Sequence, residues 1–159
     1  MKLKNVLLTA VATLGLAAVT IAQNVPSYVP TNGLVGWWPF NGNANDESGN
    51  NNNGSVNGAS LTADRFGSAN KAYSFDGVGD FIDCGNSTSV NIIGSISISA
   101  WINAIDFISE NGIISKMGSY DLITSSDNTV PPLDKIRWLQ AGGFLYTNSI
   151  QPNSWLNVV

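Results

Sequence analysis

The chain has 159 residues, a formal net charge of −4 at pH 7 and no histidine. Its length suits a single domain with a buried core, and its few basic residues argue against a nucleic-acid partner, because binding phosphates requires clustered lysine and arginine. The lack of histidine excludes Ser-His and Cys-His nucleophile systems and the common histidine metal sites.

The N-terminal segment has the pattern of a secretory signal peptide. Lys2 and Lys4 precede an uncharged apolar run from Val6 to Ile21, which is followed by the small residue Ala22. The run is shorter than the roughly 20 residues that span a bilayer, which argues against the alternative of a transmembrane anchor. We therefore predict that residues 1–22 are cleaved off and that the mature protein is secreted or displayed at the cell surface, without a membrane span.

One domain is expected after this leader. Residues 23–32 contain two prolines and form an extended lead, and residues 33–159 form the domain. The single cysteine, Cys84, rules out an internal disulfide. Because it follows Ile82 at strand spacing, Cys84 is interpreted as a buried, small apolar side chain, and the alternative is pairing with a cysteine outside this chain.

The domain opens with a predicted strand and a polar loop. Leu34 to Phe40 is predicted as the first strand, and Pro39 indicates an edge or an end because proline cannot donate to the ladder. The composition then shifts to Asn, Gly, Asp and Ser from Asn41 to Gly58, a segment called the Asn-rich loop below. Such a composition indicates either disorder or successive tight turns. We favour an ordered loop, because short strand pieces are predicted at residues 54–57 and 59–61.

The stretch KAYSFDGVGDFIDCGN, from Lys71 to Asn86, is predicted as a β-hairpin. The runs Ala72 to Phe75 and Phe81 to Cys84 show the two-residue alternation of strands. Between them, Gly77 and Gly79 permit the positive φ angles that a tight reversal requires.

The clearest periodicity lies in the segment Ser95 to Asn103. Aliphatic residues alternate there with polar ones, apart from Trp101 on the polar face. Strict period two predicts a half-buried strand with its aliphatic face inward. Further strands and one hairpin loop are predicted downstream: strands 113–117, 119–124, 135–140, 144–147 and one that starts at Trp155, with Gly142-Gly143 as the loop. Many short strands with Gly and Asn turns predict an antiparallel sandwich.

The order of these blocks resembles the laminin-G-like jelly-roll domains of bacterial secreted proteins, in the concanavalin A-like lectin and glucanase superfamily. The resemblance rests on the WWPFNG start at Trp37 to Gly42, the loop Ser48 to Asn50, the predicted hairpin and the SISISAWINA block. It covers about Gly33 to Val159 and implies an all-β, antiparallel jelly-roll β-sandwich. In the family the block at Trp155 precedes the last strands, so we expect the sandwich to be incomplete at its C-terminal end.

Catalysis by this segment is not expected. Retaining glycosidases on this type of sandwich use paired glutamates on one strand, whose carboxylates act as nucleophile and acid. The chain has only Glu47 and Glu110, one in the Asn-rich loop and one in a predicted turn. If the chain is an accessory domain of a larger secreted hydrolase, which is one alternative, the catalytic residues would lie beyond Val159.

Calcium is the one cofactor that the resemblance implies. Asp46, Asn43 and Asn50, with neighbouring carbonyls, offer hard oxygen ligands, of which Ca²⁺ takes about six to eight. Asp46 is the leading candidate ligand. The alternative is an Asn-rich turn cluster that satisfies its own backbone.

Trp101, Asn103 and Trp138 are the candidate ligand-binding residues. Sugars stack their apolar faces on an aromatic ring while their hydroxyls meet polar side chains, and Trp101 stands between Ser99 and Asn103 on a polar strand face. Both tryptophans are alternatively core residues, since tryptophan is mostly buried on average. The resemblance implies a non-catalytic recognition module for a glycan or an extracellular protein; a structural adhesion or spacer module is the remaining alternative.

Overall fold

The computed structural model describes residues 25–106, 111–126, 134–140, 143–147 and 150–159. The predicted leader lies outside these ranges. The described residues form β-strands and one short 3₁₀ turn (Thr88–Val90), without an α-helix. The strands are β1 (Ser55–Asn57), β2 (Ser60–Thr62), β3 (Ala72–Ser74), β4 (Phe81–Asp83), β5 (Ala100–Ile102), β6 (Gly112–Lys116), β7 (Tyr120–Ser126), β8 (Asp134–Gln140), β9 (Gly143–Tyr146) and β10 (Leu156–Val158).

Every strand pairing among them is antiparallel, which confirms the predicted all-β class. Strands β6 to β9 form a four-stranded meander, and the pairs β1–β4, β2–β3 and β5–β10 form two-stranded sheets. In the described residues, these sheets do not close into one jelly-roll sandwich by strand pairing. No helix in the described part of the chain combines the length and the apolar character that crossing a membrane requires.

The core lies against the meander. Leu122 of β7, Ile136 of β8 and Val158 of β10 form the buried cluster, in which Ile136 is only 1% exposed. Ile98 and Ile102 pack against this cluster from the segment with period two. The predicted inward aliphatic face of Ser95 to Asn103 is therefore confirmed, although only Ala100–Ile102 forms a ladder, because that is where β10 lies alongside.

The hairpin of β8 and β9 is confirmed, with a shift in its loop. Gly143 is already part of β9 and pairs with Gln140 of β8. The connection is therefore residues 141–142, which lie outside the described residues, and it falls one position before the predicted loop Gly142-Gly143.

The predicted hairpin at the centre of the sequence is wrong in its pairing. Strands β3 and β4 do form, but β3 pairs with β2 and β4 pairs with β1, so the two pairs are nested. Side-chain hydrogen bonds rather than a ladder close the loop between β3 and β4. Asp80 Oδ2 accepts a hydrogen bond from the Asp76 amide at 2.9 Å, and Asp76 Oδ1 accepts one from the Val78 amide at 2.8 Å. Gly58, between β1 and β2, has φ +79°, and a Cβ there would collide with the Asp80 carboxylate, so only glycine fits this approach.

The predicted first strand, Leu34 to Phe40, is also wrong, because this segment forms no ladder. Its backbone groups pair instead with side chains of the Asn-rich loop. For example, the Val35 carbonyl accepts a hydrogen bond from Asn52 Nδ2 at 2.9 Å, and Asn52 is itself buried. Side-chain partners of this kind offer the backbone an alternative to a sheet. The short strand pieces predicted at residues 54–57 and 59–61 correspond to β1 and β2.

Candidate functional site

The polar side of strand β5 carries an exposed tryptophan. Trp101 points away from the core and is 47% exposed. Asn157 of β10 is its direct cross-strand partner, and residues directly opposite each other in an antiparallel pair share one face. Asn157 Nδ2 donates to Ser99 Oγ and to the Ala100 carbonyl, both at 3.3 Å. The tryptophan therefore lies beside amide and hydroxyl groups whose orientation is fixed.

A cation from a distant part of the sequence lies over this tryptophan. The guanidinium carbon of Arg65 is 4.2 Å from the centroid of the Trp101 ring and 4.3 Å from that of Phe66. Phe66 is 75% exposed. Both distances are within the range in which a guanidinium is attracted to an aromatic face, so Arg65 is held between two exposed rings.

The loop between β2 and β3 fixes the position of Arg65. Asp64 Oδ1 accepts hydrogen bonds from the amides of Phe66 and Ser68, both at 2.9 Å. The Gly67 amide donates to the Asp64 carbonyl at 3.0 Å, and Gly67 has φ +80°, which suits glycine. An aspartate that bonds amides two and four residues ahead forms a tight local turn. Arg65 therefore stands on a loop with internal hydrogen bonds.

We name this surface the Trp101 face and define it by five residues: Arg65, Phe66, Trp101, Asn103 and Asn157. It combines two aromatic rings, two side-chain amides and one cation, all on exposed residues. An aromatic platform with polar groups at its side is the combination that sugar binding requires.

Of the predicted ligand residues, the structure brings two together. Trp101 and Asn103 stand two positions apart on the same outward side of the segment, and both are exposed. Trp138 lies elsewhere: it packs against the core cluster and stacks on Tyr120, with ring centroids 6.2 Å apart and an interplanar angle of 16°. Trp138 therefore packs against the core, which was the alternative interpretation from the sequence, and it is not part of the Trp101 face.

Asp46, the leading candidate calcium ligand, is buried and bonded to backbone. Its Oδ1 accepts hydrogen bonds from the amides of Trp37 and Ser48, both at 2.9 Å, and its Oδ2 accepts a hydrogen bond from the amide of Asn52 at 3.0 Å. Burial raises the pKa of this carboxyl, but the hydrogen bonds from these amides and from the Ser48 side chain lower it more, so the pKa of Asp46 lies below its usual range. The carboxylate thus joins the loop to the segment before it.

The two other predicted calcium ligands also form hydrogen bonds, one within the loop and one to the segment before it. Asn43 Oδ1 accepts a hydrogen bond from the Asn45 amide at 2.8 Å. Asn50 Nδ2 donates hydrogen bonds to the carbonyls of Leu34 and Val35, at 2.8 and 3.1 Å. Within the described residues, no three or more His, Cys, Asp or Glu side chains are grouped to hold a metal ion. Calcium binding stays a prediction, and no part of the function proposed below depends on it.

Cys84 is half-buried and forms no disulfide. Burial, followed by the nearby carboxylates of Asp83 and Asp46, raises the pKa of its thiol. Because the thiolate is the nucleophile, we expect iodoacetamide at pH 8 to alkylate Cys84 in the folded protein about tenfold more slowly than in urea-unfolded protein. Equal rates, measured by mass spectrometry after timed quenching, would show that this environment does not protect the thiol.

Comparison of the chain with models of protein families, with curated proteins and with solved structures gives no match. The laminin-G-like assignment therefore stays a prediction that rests on the sequence blocks.

Three residues of the Trp101 face were not predicted from the sequence: Arg65, Phe66 and Asn157. One sequence signal was available, since an Asp-Arg-Phe-Gly turn places a cation and an aromatic side by side in a chain with few basic residues. Its contact with Trp101 joins distant parts of the chain and follows from the fold alone.

Proposed function

We propose that the chain is an exported, non-catalytic recognition module that binds carbohydrate through the Trp101 face, on a scaffold of the laminin-G-like jelly-roll type. The observation that carries the proposal is the 47% exposure of Trp101 on a strand whose opposite face packs against the core. Arg65 lies over one face of the Trp101 ring, and the part of the ring that it leaves exposed is apolar area in water, which contact with a sugar ring would cover.

The neighbours of Trp101 favour a sugar over an apolar partner. Asn103, Asn157 and Ser99 are exposed, and they offer donors and acceptors beside the ring. A ligand that presents both C–H and O–H groups can satisfy the two kinds of surface at once, as carbohydrates do. An extracellular protein that presents a glycan would be recognised by the same chemistry.

The replacement Trp101→Ala tests this function. We expect it to weaken glycan binding about five- to tenfold, since one aromatic platform contributes about 1 to 1.4 kcal/mol. Because the ring is half exposed, the melting temperature should change little. Binding is screened on a glycan array with the mature protein and then measured by isothermal titration calorimetry.

Two variants serve as controls. Trp101→Phe keeps an aromatic ring and should retain part of the affinity. Tyr28→Ala removes an aromatic that is 80% exposed outside the Trp101 face and should bind as the parent does. Unchanged binding by Trp101→Ala would contradict the assignment of the site, and a large fall in its melting temperature would make Trp101 a structural residue. A spacer module would bind none of the glycans.

A further inference from the structure

Arg65 differs from other cations of the domain in what surrounds it. Lys71 Nζ donates to Asn41 Oδ1 at 2.9 Å, and Lys116 Nζ donates to Asn86 Oδ1. Arg65, in contrast, contacts two aromatic rings, and no described residue accepts a hydrogen bond from it or forms an ion pair with it. Aromatic rings attract the charge but take up none of the five N–H donors of a guanidinium. Those donors are left for solvent or for a ligand.

We propose that the Trp101 face selects carbohydrates that carry a carboxylate, that is, uronic acid residues, and that Arg65 binds the carboxylate. The inference rests on the carbohydrate-binding function proposed above. A guanidinium presents a rigid planar fork of donors that matches the two oxygens of a carboxylate. A hexuronic acid offers this carboxylate on the same ring whose apolar face can stack on an aromatic side chain.

The arrangement lowers the entropic cost of forming such a contact. An arginine on an open surface loses side-chain freedom when it binds a ligand. Here the side chain is already held between Trp101 and Phe66, on a loop that Asp64 fixes with two amide hydrogen bonds. Less freedom is therefore lost on binding.

The charge of the whole chain makes the test of Arg65 decisive. The formal net charge is −4, and only seven basic residues are present, including the two in the predicted leader. A polyanion is thus repelled by the protein as a whole, and the five basic residues outside the predicted leader are too few to attract it in a nonspecific way. Binding of a uronate must come from a local cation.

The experiment compares acidic oligosaccharides with their neutral methyl esters. Oligomers of galacturonate, glucuronate and mannuronate, and the same oligomers fully methyl-esterified, are titrated into the mature protein by isothermal titration calorimetry. We expect at least one acidic oligomer to bind about tenfold more tightly than its ester, in line with a charge-assisted pair. Arg65→Gln should remove this preference, because it should weaken the binding of the acid about tenfold more than the binding of the ester.

Arg65→Lys and Lys71→Gln serve as matched variants. Arg65→Lys keeps the positive charge but lacks the planar fork of N–H donors, so it should retain only part of the preference for the acid. Lys71→Gln removes a charge from a lysine outside the Trp101 face and should retain the full preference. Because Arg65 is exposed, the melting temperature of its variants should equal that of the parent.

The other outcomes separate the two proposals. Glycan binding that depends on Trp101 but is equal for acids and esters, and unaffected by Arg65→Gln, would overturn this inference and leave carbohydrate binding intact. Tighter, Arg65-dependent binding of sulfated neutral oligosaccharides than of any uronate would overturn the choice of the carboxylate. If neither acids, esters nor neutral glycans bind, the carbohydrate function itself fails, and this inference fails with it.

Discussion

Replacing Asp46 by alanine is expected to lower the free energy of unfolding by about 4 kcal/mol. The carboxylate of Asp46 accepts three backbone hydrogen bonds, from Trp37, Ser48 and Asn52, and the residue is 8% exposed. Alanine would leave three amides without this acceptor, two of them on residues that are themselves buried. Urea unfolding followed by tryptophan fluorescence gives the free energy.

Two further variants isolate the role of the carboxylate. Asp46→Asn keeps one side-chain oxygen and should lose less stability than Asp46→Ala. Asp106→Ala removes an exposed aspartate and should change the free energy of unfolding by less than about 0.5 kcal/mol. Equal and small effects of Asp46→Ala and Asp106→Ala would show that the Asn-rich loop does not depend on Asp46.

The lowered pKa of Asp46 also predicts a dependence on pH. A carboxyl whose pKa is depressed in the folded state contributes stability above its unfolded pKa, which is about 3.9, and this contribution disappears as the pH falls through the folded pKa. The difference in melting temperature between the parent and Asp46→Asn should therefore be constant from pH 5 to 7 and should shrink below about pH 4. A difference that stays constant to pH 2 would contradict the pKa assigned to this carboxyl.

Replacing Ile136 by alanine is expected to cost about 3 kcal/mol of stability. Ile136 is 1% exposed at the centre of the core cluster, with Leu122 and Val158 as its buried neighbours. The three lie on β8, β7 and β10, so a cavity at Ile136 weakens packing between the meander and the β5–β10 pair. The free energy of unfolding in urea measures the loss.

Ile93→Ala is the matched control, because it deletes the same atoms from a side chain that is 87% exposed. It should change the free energy of unfolding by less than about 0.5 kcal/mol. If both isoleucine variants lose the same small amount, the cluster around Ile136 is not the core. Ile136→Val, which removes a single methylene, should fall between the two at about 1 kcal/mol.

Most strands apart from the predicted one at Leu34 to Phe40 followed from local pattern, because the direction of a side chain in a strand alternates from one residue to the next. The period-two segment placed Ile98 and Ile102 inward and Trp101 outward, and the structure agrees. The four strands of the meander were likewise predicted to within a few residues at each end.

The pairing of β3 and β4, in contrast, was not contained in local pattern. Two runs joined by an Asp-Gly turn have the signature of a hairpin, yet β3 and β4 each pair with a strand from the preceding segment. The Asp80 carboxylate accepts a hydrogen bond from the Asp76 amide, which closes the loop without a ladder. The pairing partner of a strand depends on which of several strand edges binds it most favourably. The sequence of a single segment does not contain that information.

The sequence by itself determined the all-β class and the aliphatic and polar faces of the segment Ser95 to Asn103, because these properties depend on short-range alternation, but it left open whether Trp101 is exposed or packed in the core. Only the tertiary structure decided that Trp138 packs in the core and that Arg65 lies over Trp101. Both are contacts between residues far apart in the chain. Their formation depends on how loops and sheets come together in three dimensions, which local periodicity does not specify.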